Sequence, residues 1–262
     1  MTNNLNVALI QSDIIWESPL RNLEKYSQEI SSLDKSVELI VLPEMFATGF
    51  TTNVENTKQH MDGEIVSWMR NTAIANDTAI FGSVIIEENE NIFNRAIFVF
   101  PNGEIEIYDK RHLFSLAGED KDFSPGNIRK IINYKGWKIM PLVCYDLRFP
   151  VWSRNDLDYD ILIYVANWPR KRSYAWQTLL KARAIENMSY VIGVNRVGID
   201  GNNYKYSGDS LVADPLGVEI LKLKEDSEIS NNIELNRDDL VKTRNHLSFL
   251  NDKDIFEIKN IS

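Results

Sequence analysis

Short, unbroken apolar runs recur along the chain and constrain its fold more than any other feature. Glu38–Leu42 (ELIVL), Lys138–Tyr145 (KIMPLVCY) and Asp160–Ala166 (DILIYVA) lack the apolar–polar alternation of a strand with one wet face. A strand buried on both faces reads this way, and each of its faces must then be covered by another layer. The covering elements alternate with the strands. Val7–Gln11 is a further apolar run, followed by Ser18-Pro19, an N-cap signal with proline at the first helical position. Leu20, Leu23, Ile30 and Leu33 then recur at helical spacing and predict one buried stripe. Ile65, Trp68, Met69 and Ala73 predict a second helix, and Ala79–Ile86 the strand after it. Asn94–Phe100 and Ile105–Tyr108 flank Pro101-Asn102-Gly103 as a hairpin.

The second half repeats the theme. Val151–Leu157 reads as a short helix between two buried strands. Ser173 is placed to cap a helix running to about Met188, with Trp176, Leu179, Leu180 and Ile185 near one face. Tyr190–Val197, Ser210–Ala213, Val218–Leu223 and Glu228–Leu235 complete a strand-rich end. With no Pro/Ser-rich linker and no short repeat, the expectation is an α/β fold in one domain over residues 1–262, with a polar C-terminal arm from about 237. A chain of 262 residues has ample length for a sizeable core.

Charge narrows the partners. Acids number 38 against 29 lysines and arginines, a net −9. Nucleic acid and anionic membrane both require a basic footprint, so neither is expected as the main partner. No apolar run approaches the roughly 20 residues of a membrane helix. The opening MTNNLNVALIQSD shows no basic region followed by an apolar one, and the single cysteine forms no internal disulfide, so a cytoplasmic protein is expected.

That cysteine, Cys144, ends the run IMPLVC and precedes Tyr145-Asp146-Leu147-Arg148. The end of a buried strand is where α/β proteins place reactive groups, although a lone thiol is also a common inert core residue. Glu44, in VLPEMFATGF, follows a buried run directly and is either an exposed loop acid or a desolvated one needing partners. Lys110, in YDKRHL, follows the hairpin and alone reads as part of a solvated face. Together the three form a coherent set. A thiol at its free pKa is a weak nucleophile at neutral pH, a partly buried carboxylate can take its proton, and an ammonium stabilises an oxyanion.

In these motifs, LIVLPEMFATGF, YDKRHLFSLAGED and LVCYDLRFP, the chain resembles the nitrilase superfamily of carbon–nitrogen hydrolases, whose glutamate–lysine–cysteine triad matches Glu44, Lys110 and Cys144 in order. The segments DILIYVANWPRKRSYAWQTLLKARAIEN and VIGVNRVGIDGNNYKYSGDS are most similar to its ω-amidase branch. The resemblance implies a four-layer αββα sandwich, a homodimer or higher homo-oligomer, and a small-molecule amide substrate. It also implies a role for a second glutamate, Glu119, which read by itself is a solvated loop acid. Lys110 and the backbone N–H of Tyr145 are then the expected oxyanion donors. The expected activity is hydrolysis of the terminal amide of a 2-oxo dicarboxylic acid monoamide through a cysteine thioester.

For such a substrate Arg148 is the candidate anchor of the distal carboxylate, the alternative being a structural pair with Asp146 or another nearby acid. Phe114 and Trp168 are candidate pocket walls, and Asn167 a polar group at the same edge. Three other readings stay open: the same triad on a nitrile, an N-carbamoyl amine or deaminated glutathione; a cysteine–histidine hydrolase with His112 as base; and a non-catalytic binding protein. No HExxH, P-loop, GxGxxG or GxSxG motif is present, so no metal and no cofactor are expected.

Overall fold

A computed structural model describes residues 4–259. The first half contains β1 (Asn4–Gln11), α1 (Pro19–Ser31), β2 (Leu39–Val41), α2 (Val54–Thr57), α3 (Glu64–Asn76), β3 (Ala79–Glu88), β4 (Asn91–Val99) and β5 (Ile105–Asp109). Next come α4 (Glu119–Asp122), β6 (Ile132–Tyr134), β7 (Trp137–Val143), β8 (Ile161–Ala166), α5 (Ser173–Asn187) and β9 (Tyr190–Asn195). The remainder is β10 (Val197–Ile199), β11 (Lys205–Ser207), β12 (Leu211–Ala213), β13 (Glu219–Lys222), β14 (Ile229–Asn236) and α6 (Arg237–Leu247).

Two six-stranded sheets result, ordered β14-β1-β2-β3-β4-β5 and β13-β12-β9-β8-β7-β6. The parallel pairs lie at the centre of each: β1, β2 and β3 in one, β7, β8 and β9 in the other. Antiparallel strands flank them, and β14 pairs with β1 along its whole length, from Asn4↔Asn236 to Gln11↔Ile229. Leu5, Val7 and Leu9 of β1 join Phe81, Phe98, Ile139, Ile161 and Ile163 in the core between the sheets. The alternate residues Ala8 and Ile10 face outward and pack with Leu23, Tyr26 and Ile30 of α1 and Ile65, Met69 and Ala73 of α3. On the second sheet α5 lies so close to β9 that a Cβ added at Gly193 would sit 2.4 Å from Leu180. Helices outside, sheets inside: this is the expected αββα sandwich. Among the described residues no helix is long and apolar enough to cross a membrane.

Several local expectations fail for physical reasons. Leu23 and Ile30 are buried as expected and Leu33 packs on the same core just past the end of α1, but Leu20 is 62% exposed and Asn22 and Tyr26 complete the buried face. Asn22 earns its buried place by bonding the Ile15 backbone and the Ala47 carbonyl, which ties α1 to the loop after β2. Ser18 and Ser173 make no capping bond, and Ser173 is already the first residue of α5. Ile185 is exposed, while Arg183 and Asn187 are buried.

Val151–Leu157 forms turns and bends rather than a helix. Its polar side chains find tertiary partners that compete with helical bonding: Asn155 Nδ2 donates to the carbonyls of Tyr159 and Asn187, and Trp152 Nε1 to Tyr108 Oη. The polar stretch from 237 is the helix α6, with Leu240 buried and Arg244 donating to Asp160 and to the carbonyls of Tyr159 and Met188.

Candidate active site

Four strand ends meet at one edge of the sandwich. Lys110 directly follows β5, Cys144 follows β7 and Asn167 follows β8, while Glu44 comes three residues after β2. The loop carrying Glu44 is fixed from below. Met45 has φ 43°, in the left-handed region that non-glycine residues rarely occupy, and its N–H donates to Ser83 Oγ at 2.9 Å. Lys110 is held by its backbone: its N–H donates to the Asn94 carbonyl and its own carbonyl accepts from Gly126. A Cβ at Gly126 would lie 2.1 Å from the Asp109 carbonyl oxygen, so only glycine admits this approach.

Glu44, Lys110 and Glu119 form one buried cluster, each at most 1% exposed. The Lys110 ammonium donates to Glu44 Oε1 at 3.0 Å and to Glu119 Oε1 and Oε2 at 2.9 and 2.8 Å. Glu44 Oε1 also accepts from Asn94 Nδ2 at 2.8 Å, and Oε2 from the Asn167 N–H at 2.7 Å. Glu119 further accepts from Asn94 Nδ2 at 3.2 Å and from the Phe114 N–H at 2.6 Å. Two carboxylates around one ammonium leave an excess negative charge in a dry site, and these neutral N–H donors disperse it.

The electrostatics follow. Burial pulls Lys110 toward losing its proton, yet Glu119 and then Glu44 outweigh it and hold its pKa above the ordinary lysine value. Burial raises the Glu119 carboxyl, with Glu44 adding to the shift and Lys110 opposing it. Cys144 is half-buried as a residue, but its thiol is desolvated, and burial together with the facing Glu44 raises it well above the usual thiol pKa against the pull of Lys110. The resting sulfur is therefore a thiol, and turning it into a thiolate requires an adjacent proton acceptor.

Cys144 has φ 42°, so the turn that presents the sulfur is itself strained. Asp146 pins that turn: Oδ2 accepts from the Val143 N–H and Tyr108 Oη, and Oδ1 from the N–H and Nδ1 of His112. His112 thus bonds Asp146 and stacks on Phe149 at 3.7 Å. It does not line the cavity that Cys144 opens into, which removes the geometric basis for His112 as its base. Among the described residues neither Asp146 nor another acid forms an ion pair with Arg148, so the alternative of a structural pair fails.

That cavity measures about 490 Å³ and is lined by Lys110, Cys144, Tyr145 and Asn167 together with the aromatic walls Phe114 and Trp168. It is the size of a site for a small organic molecule. Arg148 reaches it with its guanidinium 4.9 Å above the Trp168 ring. Arg172, not singled out in the sequence, lines it too, stacked 5.1 Å over Phe114. The solvated reading of Glu119 is wrong: the residue is fully buried because the turn after Phe114 carries it back onto Lys110.

Asn94 was also missed, though it left a signal. It stands in the same register as Ala96 and Phe98, which face the inter-sheet core, so a polar side chain was due to point inward. Among the described residues, no cluster of three or more His, Cys, Asp or Glu side chains is arranged to hold a metal ion.

Comparisons with known proteins agree with this geometry. The pattern of the carbon–nitrogen hydrolases matches residues 6–245. The chain is 46% identical over 216 residues to the omega-amidase YafV of Yersinia enterocolitica, covering 82% of this chain and 83% of that protein. It is 33% identical over 216 residues to the 2-oxoglutaramate amidase of Bacillus subtilis strain 168, covering 80% and 83%. A CN-hydrolase superfamily protein of Xanthomonas campestris, solved with an arsenic adduct in its active site, superposes with a TM-score of 0.95 at 39% identity, covering 98% of this chain and 99% of that one.

Proposed function

The chain belongs to the carbon–nitrogen hydrolase family, a hydrolase acting on amide C–N bonds, and on that premise we propose that it is an ω-amidase. Its substrate is the terminal amide of a small 2-oxo dicarboxylic acid monoamide, 2-oxoglutaramate or 2-oxosuccinamate, and its products are the acid and ammonia. The observation that carries the reading is the Cys144 sulfur beside a buried carboxylate–ammonium pair, at the floor of a cavity that guanidinium groups also line. Similarity to the Yersinia omega-amidase and the Bacillus 2-oxoglutaramate amidase supports the substrate class.

In the mechanism, Glu44 accepts the Cys144 proton and the sulfur attacks the amide carbon. Lys110 and the Tyr145 N–H hold the tetrahedral oxyanion, a contribution of about 3–4 kcal/mol per donor in comparable sites. Glu44 returns the proton to the nitrogen, the C–N bond breaks, ammonia leaves and a thioester remains. Water then attacks the thioester with Glu44 as base, releasing the acid and restoring the thiol. Glu119 keeps Lys110 charged and in place through its two contacts. Asn167 orients Glu44 from both its backbone and its side chain, and Arg148 receives the distal carboxylate.

The test is ammonia release from 2-oxoglutaramate by the purified protein, with succinamate and a simple nitrile alongside and Cys144→Ala as control. Preference for the oxo-acid amide, lost in the variant, is the expected result. Turnover of the nitrile or another amide in its place overturns the substrate and leaves the triad.

A further inference from the structure

We propose that Arg172 is a second anion-binding group of this cavity, and that with Arg148 it grips the 2-oxo carboxylate end of the substrate. This rests on the ω-amidase reading for the identity of the ligand, but not for the presence of an anion site. Arg170, Lys171 and Arg172 form a basic run between β8 and α5, which in a sequence looks like a solvated face. Its arginines turn opposite ways. Arg170 points outward and pairs with Asp226 at 2.7 and 2.8 Å. Arg172 points inward and lies over Phe114 in the cavity wall. Its carbonyl accepts from Trp168 Nε1 at 2.8 Å, and the Trp168 ring is the shelf beneath Arg148. One tryptophan therefore touches both residues, its ring under the Arg148 guanidinium and its N–H on the Arg172 backbone.

Neither guanidinium has an ion pair with a described residue, in a chain of net charge −9. The acid among the described cavity-lining residues, Asp200, is bonded elsewhere. Its Oδ1 accepts from the N–H groups of Asn202 and Tyr204, and its Oδ2 from Tyr206 Oη at 2.7 Å. Two cations held on aromatic rings with their donors free of protein acids make an anion site. A 2-oxo carboxylate presents three oxygens in or near one plane. One guanidinium fork takes the carboxylate pair, and the other donates to the 2-oxo oxygen and the adjacent carboxylate oxygen. The pair thus selects an amide with an oxo group beside its carboxylate over the same chain without that oxo group.

The experiment compares wild type, Arg172→Gln, Arg172→Lys and Arg148→Gln in two assays. The first measures kcat and KM for 2-oxoglutaramate and for glutaramate, which lacks the oxo group. Arg172→Gln is expected to raise KM for 2-oxoglutaramate about tenfold with kcat little changed, and to shrink the preference over glutaramate by a similar factor. Arg172→Lys, with charge but no fork, falls between. The second assay alkylates Cys144 with neutral iodoacetamide and with anionic iodoacetate. Arg172→Gln should lower the iodoacetate rate several-fold relative to iodoacetamide, and an unchanged iodoacetamide rate shows an intact site.

An unaltered substrate preference together with an unaltered alkylation ratio overturns the proposal. If wild type fails on 2-oxoglutaramate, the ω-amidase reading fails by itself. The alkylation ratio then still decides Arg172: a dependence on this residue upholds the anion site for another anionic amide, and independence rejects it.

Discussion

The floor and the rim of the cavity treat charge in opposite ways. At the floor, Lys110 is enclosed by two carboxylates, and those carboxylates are bonded in turn by Asn94, Asn167 and the Phe114 N–H. At the rim, Arg148 and Arg172 rest on aromatic rings with no acid bonded to either among the described residues. A charge neutralised within the protein is part of its architecture, and removing it harms fold and chemistry together. On the proposed reading the open charges serve the ligand, so removing one should harm binding alone.

The largest expected effect breaks the floor. Lys110→Met leaves Glu44 and Glu119 facing each other in a dry site, so turnover should vanish and stability should fall by about 3–5 kcal/mol in urea unfolding. Wild-type melting in this variant would show that the cluster is not held by its charges. The pH dependence has a definite sign. The folded protein binds the Lys110 proton more tightly than the unfolded chain, so the stabilisation is complete below the ordinary lysine pKa of about 10.4 and is lost as pH rises above it. Wild type should therefore lose more stability than Lys110→Met through that alkaline range.

Titrating Cys144 sharpens the same comparison. The thiolate absorbance should stay absent through neutral pH and appear only above the ordinary cysteine value of about 8.5. A thiolate signal at neutral pH would instead make the floor a sulfur–ammonium pair with no need of Glu44 as base. Asn94→Ser tests the neutral donors: it withdraws the amide from both carboxylates, and kcat is expected to drop about tenfold with KM held. An equal change in KM would move Asn94 from positioning Glu44 to contacting substrate. The smallest effect is at the rim. Arg148→Lys keeps the charge but loses the fork, so KM should rise roughly three- to tenfold while iodoacetamide modifies Cys144 at the wild-type rate. Unchanged kinetics would withdraw Arg148 from the substrate.

The floor was more legible in the sequence than the rim. Glu44, Lys110 and Cys144 each follow a predicted strand, and strand ends in α/β proteins converge at one edge. Glu119 gave no such signal, because a loop acid is read as solvated until its partner is known. Asn94 was readable in principle from its register. Arg172 was not: its neighbour Arg170 has the same side chain and the opposite destination. The failed helix at Val151–Leu157 has a related cause, since Asn155 and Trp152 bond to residues that local spacing does not reveal.

Hydrophobic pattern is a local property, and it determined which strands are buried on both faces and in what order the reactive groups leave them. Pairing is not local. Asn94 meets Glu44 across 50 residues and Asn167 meets it across 123. Only the packed sandwich decides which carboxylate closes on the ammonium and which guanidinium stays open, because a hydrogen bond depends on a few ångströms of separation that no sequence spacing encodes.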